Sequence, residues 1–425
     1  MPPHVQACHL TRAFACVLLA TQAALSIISS VHAADAPPYA ALLTQALAES
    51  PMLLEQQAEV GAASADAAQA KAWPNPKLDA LAENLGAPQS GGQSQRQNTF
   101  SLTQPLDAFG QRGARVQVAE RQVRVAEARR RQTQVGFAAE LAMAYAAVEA
   151  AQARKVLAKE DLDRANEDHR ATRAQVQAGK EADVRRAQAS ASVAAAQAAS
   201  LAADMEVTQA LDRLSMLAGA STPYTGVSGT LLNTVSHYNG GAGMASDDAP
   251  FVATALAERE ALEAQAQVEQ KKALPEVDVS AGVRHYGWSS QSGYLLGISA
   301  SIPIFDRNDS GVAAARQRIA AADARVTVAR LQAEATRRSA QAQVTASELR
   351  LAAATEGEKA ASEAYRLGRI GYESGKTSLV ELLAIRRALS EAKGLTIDAQ
   401  LARVRALTAL AQADGKLAFS ASLGE

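Results

Sequence analysis

Two Gly-Lys pairs, Gly179-Lys180 and Gly375-Lys376, stand in matching surroundings of acids and bases. Glu181, Asp183 and Arg185 follow the first pair; Glu373 precedes and Glu381 follows the second. Carboxylates gathered at a constriction draw cations through a focused field. An exposed Arg–Glu contact across two chain segments is worth at most about 1 kcal/mol, so it forms and breaks readily. Register between the two copies sets Arg185 against Glu381. Two readings stand for Arg185 and Glu381: solvated helix charges, or a reversible charged contact between the two segments. The chemistry in view is electrostatic. The sequence has no phosphate-binding Walker loop, no His-Glu-x-x-His and no Gly-x-Ser-x-Gly, so neither nucleotide hydrolysis nor acyl transfer is expected. The later histidines, His169, His237 and His285, are scattered, and both cysteines, Cys8 and Cys16, lie near the N-terminus. No metal site, cofactor or catalytic residue is expected, and the chain reads as a non-enzyme.

The N-terminus predicts export. Arg12 precedes the apolar run "AFACVLLATQAALSII", and small residues then offer cleavage after Ala33 (Val-His-Ala) or Ala36 (Ala-Asp-Ala). The run falls short of the ~20 residues a membrane helix needs. With both cysteines in this segment, the processed chain is expected to have no disulfide, thiolate ligand or lipid-bearing N-terminal Cys. No later apolar stretch reaches about 18 residues, so no helical span is expected. Charge is balanced, 43 Lys+Arg against 44 Asp+Glu, which argues against a nucleic-acid partner. Aromatics make up 4% of the chain, few for large globular cores, whereas the Ala-, Gln-, Arg- and Glu-rich middle suits long helices packed through small side chains.

Long helices must carry the two charged turns. No proline interrupts Gln111 to Gln177. Small and apolar residues step through it at spacings of three and four: Val116, Ala119, Val123, Ala126, Thr133, Phe137, Ala144, Val148 and Ala151. Such a helix is on the order of 100 Å long. Gly179 ends it, and a return helix runs to about Ala218. A helix over 40–72, stopped by "WPNP", precedes it. The plan then repeats: a helix over 251–272, a long helix from about Gly311 to Tyr372, a turn at Gly375 and a last helix ending near Gly415. Pro76 matches Pro275, and Pro105 matches Pro303. The expected division is a signal peptide (1–33), a first repeat (34–218), a linker or equatorial segment (219–250), a second repeat (251–417) and a short tail (418–425).

Each repeat carries two candidate strands between its helices. "VDVSAGVRHYGW" sets Val277, Val279, Ala281 and Val283 on one face against Asp278, Ser280, Gly282 and Arg284; "YLLGISASI" and "FSLTQPL" alternate likewise, and "KLDALAEN" does so poorly. One apolar and one polar face over about ten residues fits a transmembrane β-barrel as well as ordinary hairpins on a core. Tyr286, Trp288 and Tyr294 flank the second hairpin loop, where an interfacial aromatic girdle is expected. Four strands cannot enclose a lumen, and open edges are not tolerated in lipid, so several identical chains must share one barrel.

The motifs "WPNPKLD", "TQPLDAFGQRGAR", "SIPIFDRNDSGVAAAR" and "YRLGRIGYESGKTSLVELL" together resemble the outer-membrane efflux protein family, the TolC-like channels. The resemblance covers about Tyr39 to Lys416. It implies a mainly α fold with a small β part: duplicated long helical hairpins forming a periplasmic α-barrel, and four transmembrane β-strands per protomer in a shared trimeric β-barrel. It implies an outer-membrane location with a large periplasmic part. The implied partners are a periplasmic membrane-fusion adaptor and an inner-membrane pump that supplies the energy. "PLDAFGQRGAR" and "IFDRNDSG" are closest in wording to the heavy-metal cation branch; a duct for drugs and a periplasmic coiled-coil adaptor are the alternatives. The resemblance makes Tyr372 a gating tyrosine and Glu381 an inward-facing acid. Thr377 and Ala384 depart from the family pattern, so at most one acidic ring is implied. Gly179, Lys180, Gly375 and Lys376 become the hairpin tips that meet the adaptor.

Overall fold

The computed structural model describes residues 35–87, 89, 91–234 and 246–420; the expected leader and His237 lie outside them. The first repeat runs α1 (Tyr39–Glu49), α2 (Pro51–Ala70), β1 (Lys77–Glu83), β2 (Gln97–Leu106), α3 (Gln111–Gln177) and α4 (Asp183–Ala218). A short α5 (Leu231–Thr234) follows. The second repeat runs α6 (Pro250–Lys271), β3 (Glu276–Tyr286), β4 (Ser292–Ser301), α7 (Asp309–Glu373) and α8 (Leu379–Ala413). The 67 residues of α3 and 65 of α7 make rods about 100 Å long.

The helix expected over 40–72 is two helices. Pro51 opens the second, and Ser50 before it is extended at φ −62°, ψ 126°, the conformation a following proline imposes. Elsewhere the duplication is clear: each repeat has a helix, two strands, a long descending helix and a shorter return helix. The sheet joins the repeats in the antiparallel order β1-β2-β3-β4.

Small side chains account for the close helix packing. In the outer half of α3, Val116, Ala119, Val123 and Ala126 are only half-buried. Ion pairs supplement that seam: α6 reaches α3 through Arg121–Glu260 and Arg129–Glu258 (2.6 Å), and reaches α7 through Arg259–Asp323 (2.5 Å). Around the midpoint of α3 the packing becomes apolar. Phe137, Leu141, Tyr145 and Val148 are fully buried there against Leu42 of α1, Leu214 of α4 and Val404 and Leu407 of α8.

Both ends of the described chain dock on this midpoint. The Tyr39 hydroxyl lies 3.0 Å from the Ala138 carbonyl of α3 and 2.9 Å from the Ala418 carbonyl, sharing its proton between the midpoint of α3 and the C-terminal end of the described chain. The Arg337 guanidinium meets Asp414 at 2.9 Å, with the carboxylate 1% exposed. The segment after α4, expected as a linker, is tied to the same core. Glu149 accepts the backbone N–H groups of Leu231 (2.5 Å) and Leu232 (2.7 Å), and Tyr145 Oη accepts that of Gly229 (3.0 Å).

Burial raises the Glu149 pKa, and the two backbone N–H donors only partly oppose the rise. The native carboxyl therefore holds its proton more tightly than the unfolded chain does. Its contribution to stability is fully present below the unfolded pKa and is lost as pH rises through the folded one. Glu149→Gln is expected to cost about 1 kcal/mol, from one poorly replaced acceptor, and to flatten that part of the pH dependence. Thermal unfolding of the detergent-solubilised protein across the acid range checks both effects.

Candidate functional site

The sheet sorts its side chains by pairing register. Leu78 faces Leu102, Leu102 faces Ala281, and Ala281 faces Leu296, so all four share one face. Ala80, Phe100, Val283 and Tyr294 form the next row of that face, and Val279 and Ile298 a third with Gln104. This face is bare: Tyr294 and Leu296 are each 88% exposed. The opposite face holds Asp79, Ser101, Thr99, Thr103, Asp278, Ser280 and Arg284, with Leu81 and Leu295 as apolar exceptions. On it Arg284 Nε donates to Thr99 Oγ1 (3.0 Å) and its guanidinium approaches Glu83 at 3.7 Å. Among the described residues, the outer edges of β1 and β4 pair with no strand.

The three aromatics expected to form one girdle do not share a face. Tyr294 stands on the apolar face; Tyr286, opposite Gln97, lies on the polar one. Trp288 sits in the turn and stacks on Tyr286, ring centroids 4.7 Å apart. Parity explains this: Tyr286 falls two residues after Arg284 and so follows the polar series. A second apolar group, passed over in the sequence, marks the other end of the strands. Trp73, Phe109 and Phe305 are exposed where the chain passes between helix and strand, Phe305 fully so. The Arg112 guanidinium lies 4.7 Å over the Trp73 ring.

The two hairpin tips have one backbone design. Gly179 and Gly375 adopt φ of +64° and +74°, the left-handed conformation that closes a helix at little cost only for glycine. The N–H groups of Lys180 and Lys376 bond back to the carbonyls of Gln175 (2.9 Å) and Gly371 (2.8 Å). Lys180 and Lys376 are exposed. The return helices start differently. Ser378 caps α8 through the Glu381 N–H at 3.3 Å, whereas Ala182 gives α4 no side-chain cap. In the second tip, a Cβ on Gly371 would collide with Thr377 Oγ1, and one on Gly368 would lie 2.8 Å from Ile385 Cδ1.

The Arg185–Glu381 contact is not made among the described residues of one chain. Arg185 reaches Glu181 at 3.9 Å and Gln188 at 3.3 Å; Asp183 pairs with Arg186 (3.1 Å) and Glu373 with Arg369 (3.0 Å). Each partner lies three or four residues away on the same hairpin, a nearer solution than reaching another. Exposed Glu381 is the tip carboxylate without an ion-pair partner among the described residues.

The contact between hairpins lies higher, on α3 and α8. Asp168 pairs with Arg386, Glu160 with Lys393 (3.1 Å), and Ser390 Oγ donates to Asp161 at 2.6 Å. Nearer the tip, Gln175 Nε2 donates to Tyr372 Oη at 3.4 Å, joining α3 to α7. Burial raises the Asp168 pKa despite Arg386, so desolvation outweighs the attraction there. The Lys393 hydrogen bond lowers that of Glu160. Sequence reading missed this seam. Its signal was the acids Asp161 and Asp168 one heptad apart, matched by the bases Arg386 and Lys393 one heptad apart. Among the described residues no cluster of His, Cys, Asp and Glu is arranged to hold a metal, and no helix is long and apolar enough to cross a membrane.

Residues 42–220 and 243–416 match the family described as outer membrane efflux protein. The chain is 58% identical over 398 residues to the nickel-cobalt-cadmium resistance protein NccC of Alcaligenes xylosoxydans xylosoxydans, covering 94% of this chain and 91% of that one. It is 59% identical over 392 residues to the nickel and cobalt resistance protein CnrC of Cupriavidus metallidurans, covering 92% and 93%. Among solved structures, CusC superposes with a TM-score of 0.78 at 18% identity, over 89% of this chain and 92% of that one. The open-state MtrE outer membrane channel of Neisseria gonorrhoeae gives 0.77 at 23%, over 89% of each chain. These two share the fold.

The tip geometry makes a direct prediction. Gly371→Ala must displace Thr377 and is expected to destabilise the second tip by about 1–3 kcal/mol. Amide exchange at Lys376 and Thr377, whose N–H groups bond to the Gly371 carbonyl, is expected to accelerate. Unchanged protection would contradict this packing.

Proposed function

The chain belongs to the outer membrane efflux protein family, and we propose that three copies form the outer-membrane duct of a tripartite efflux system for nickel and cobalt cations. The two open edges of the four-stranded sheet carry this reading. A sheet that exposes an apolar face and two unpaired edges is completed by the same sheet on neighbouring copies. The polar face then lines the lumen, and the long helices extend the duct into the periplasm. An inner-membrane pump drives the cargo, and a periplasmic adaptor docks on the tips through Gly179, Lys180, Gly375 and Lys376. The cargo rests on the relatives NccC and CnrC, both described by resistance to nickel and cobalt.

At the periplasmic mouth, Glu381 offers the carboxylate field that favours cations. Glu181, Asp183 and Glu373 contribute less, because each is partly neutralised on its own hairpin. Closure is assigned to Asp168–Arg386 and to the Gln175–Tyr372 bridge, which join separate hairpins, rather than to Arg185–Glu381. Tyr294 is assigned to the outer membrane interface; Trp73, Phe109 and Phe305 are assigned to the periplasmic one.

Deleting the gene is expected to sensitise its host to nickel and cobalt while leaving growth on common antibiotics unchanged. The reverse pattern would support a drug duct. In planar bilayers, Arg386→Ala leaves Asp168 half-buried and unpaired, weakening the closed entrance by about 1–2 kcal/mol. The open population is then expected to rise roughly five- to thirtyfold, with Arg386→Lys intermediate. Conductance equal to that of the unmodified protein would remove Asp168–Arg386 from the closure.

A further inference from the structure

Residues 35 and 36 are used by the fold. Ala36 is 0% exposed and forms a parallel bridge with Val227. Its N–H donates to the Gly226 carbonyl at 2.8 Å, and its own carbonyl accepts from the Ser228 N–H at 3.0 Å and the Ser228 hydroxyl at 2.7 Å. The Asp35 carboxylate accepts from Thr225 Oγ1 at 2.8 Å. Gly226 is the residue that permits this approach, since a Cβ there would lie 2.8 Å from Asp35 Oδ1. These two residues pin the 224–232 segment to the midpoint core, one turn before Tyr39 joins both chain ends.

The sequence offers two small-residue cleavage motifs, Val31-His32-Ala33 and Ala34-Asp35-Ala36. We propose that the export leader is removed between Ala33 and Ala34, so that Asp35 and Ala36 stay with the processed chain as its N-terminal strap. A signal endopeptidase would add water across the Ala33–Ala34 amide: the hydroxyl goes to the Ala33 carbonyl carbon, and the proton to the Ala34 nitrogen, which leaves as the new α-amine. Cleavage after Ala36 would discard the bridge, the buried methyl group and the Asp35–Thr225 contact, leaving the Ser228 N–H without its partner. It would also require hydrolysis of Ala36–Pro37, a tertiary amide whose ring constrains the residue before it and whose nitrogen carries no hydrogen. Chemistry and fold select the same bond.

N-terminal sequencing of the full-length product, recovered from outer membranes in detergent, is expected to begin Ala34-Asp35-Ala36-Pro37. A product beginning at Pro37, or one retaining residues before Ala34, overturns the assignment. Two variants test the bond itself, because processing precedes folding and the readout survives a misfolded product. Ala33→Arg is expected to accumulate precursor, while Ala36→Val is expected to be processed at Ala34 as before. Normal processing of the first or blocked processing of the second contradicts the proposal.

Discussion

A backbone amide in hydrocarbon must find a hydrogen-bond partner, because no water is there to supply one; each orphaned group costs several kcal/mol. The four strands satisfy this requirement internally across β1-β2-β3-β4 and leave it open at both edges. Everything above the helices depends on how those edges are met. The bare apolar face excludes an aqueous setting for a free sheet, and four strands cannot curl into a closed barrel alone. In the proposed assembly, rotation about one axis would bring β4 of each copy to β1 of the next and remove every edge at once. The helices, fixed to the strands by short junctions, would be carried into the same ring.

Below the sheet, the structure separates what must hold from what must move. The midpoint of α3 is enclosed by fully buried Phe137, Leu141, Tyr145 and Val148, and both described chain ends are fastened there. Apolar burial of that kind does not come undone on a channel's timescale. Towards the tips, the α3–α8 seam is held by the ion pairs Glu160–Lys393 and Asp168–Arg386, and α3 meets α7 through the single hydrogen bond Gln175–Tyr372. Partly exposed polar contacts are individually weak, so a docking partner can exchange them for its own without disturbing the core. Duplication supplies two tips with one backbone turn, while the different caps at Ala182 and Ser378 leave them with different firmness.

Much of this was readable from residue order. Periodicity and the lack of proline in 111–177 defined the long helices, and strict alternation in β3 and β4 defined the sheet faces. Local chemistry also placed the tips at Gly179 and Gly375, where glycine alone takes the required backbone angles cheaply. What failed depended on position in space. The break at Ser50-Pro51 was obscured by good helix formers on both sides. Tyr286 was grouped with Tyr294 by proximity in sequence, although parity sends them to opposite faces. Arg185 and Glu381 were matched by register between the repeats, but within one chain Arg185 turns to Glu181 and Gln188 on its own hairpin. The contacts that do join hairpins link residues about 200 positions apart, 218 for Asp168–Arg386, and the heptad spacing of the acids and of the bases marks each helix face without saying which face meets which.

Native mass spectrometry of the processed protein, released from detergent micelles, tests shared closure most directly. Three chains in one complex, persisting until the strands unfold, is the predicted result. A single chain that stays intact and soluble after the detergent is removed would show that β1 and β4 need no neighbour, and the account built on their open edges would be wrong.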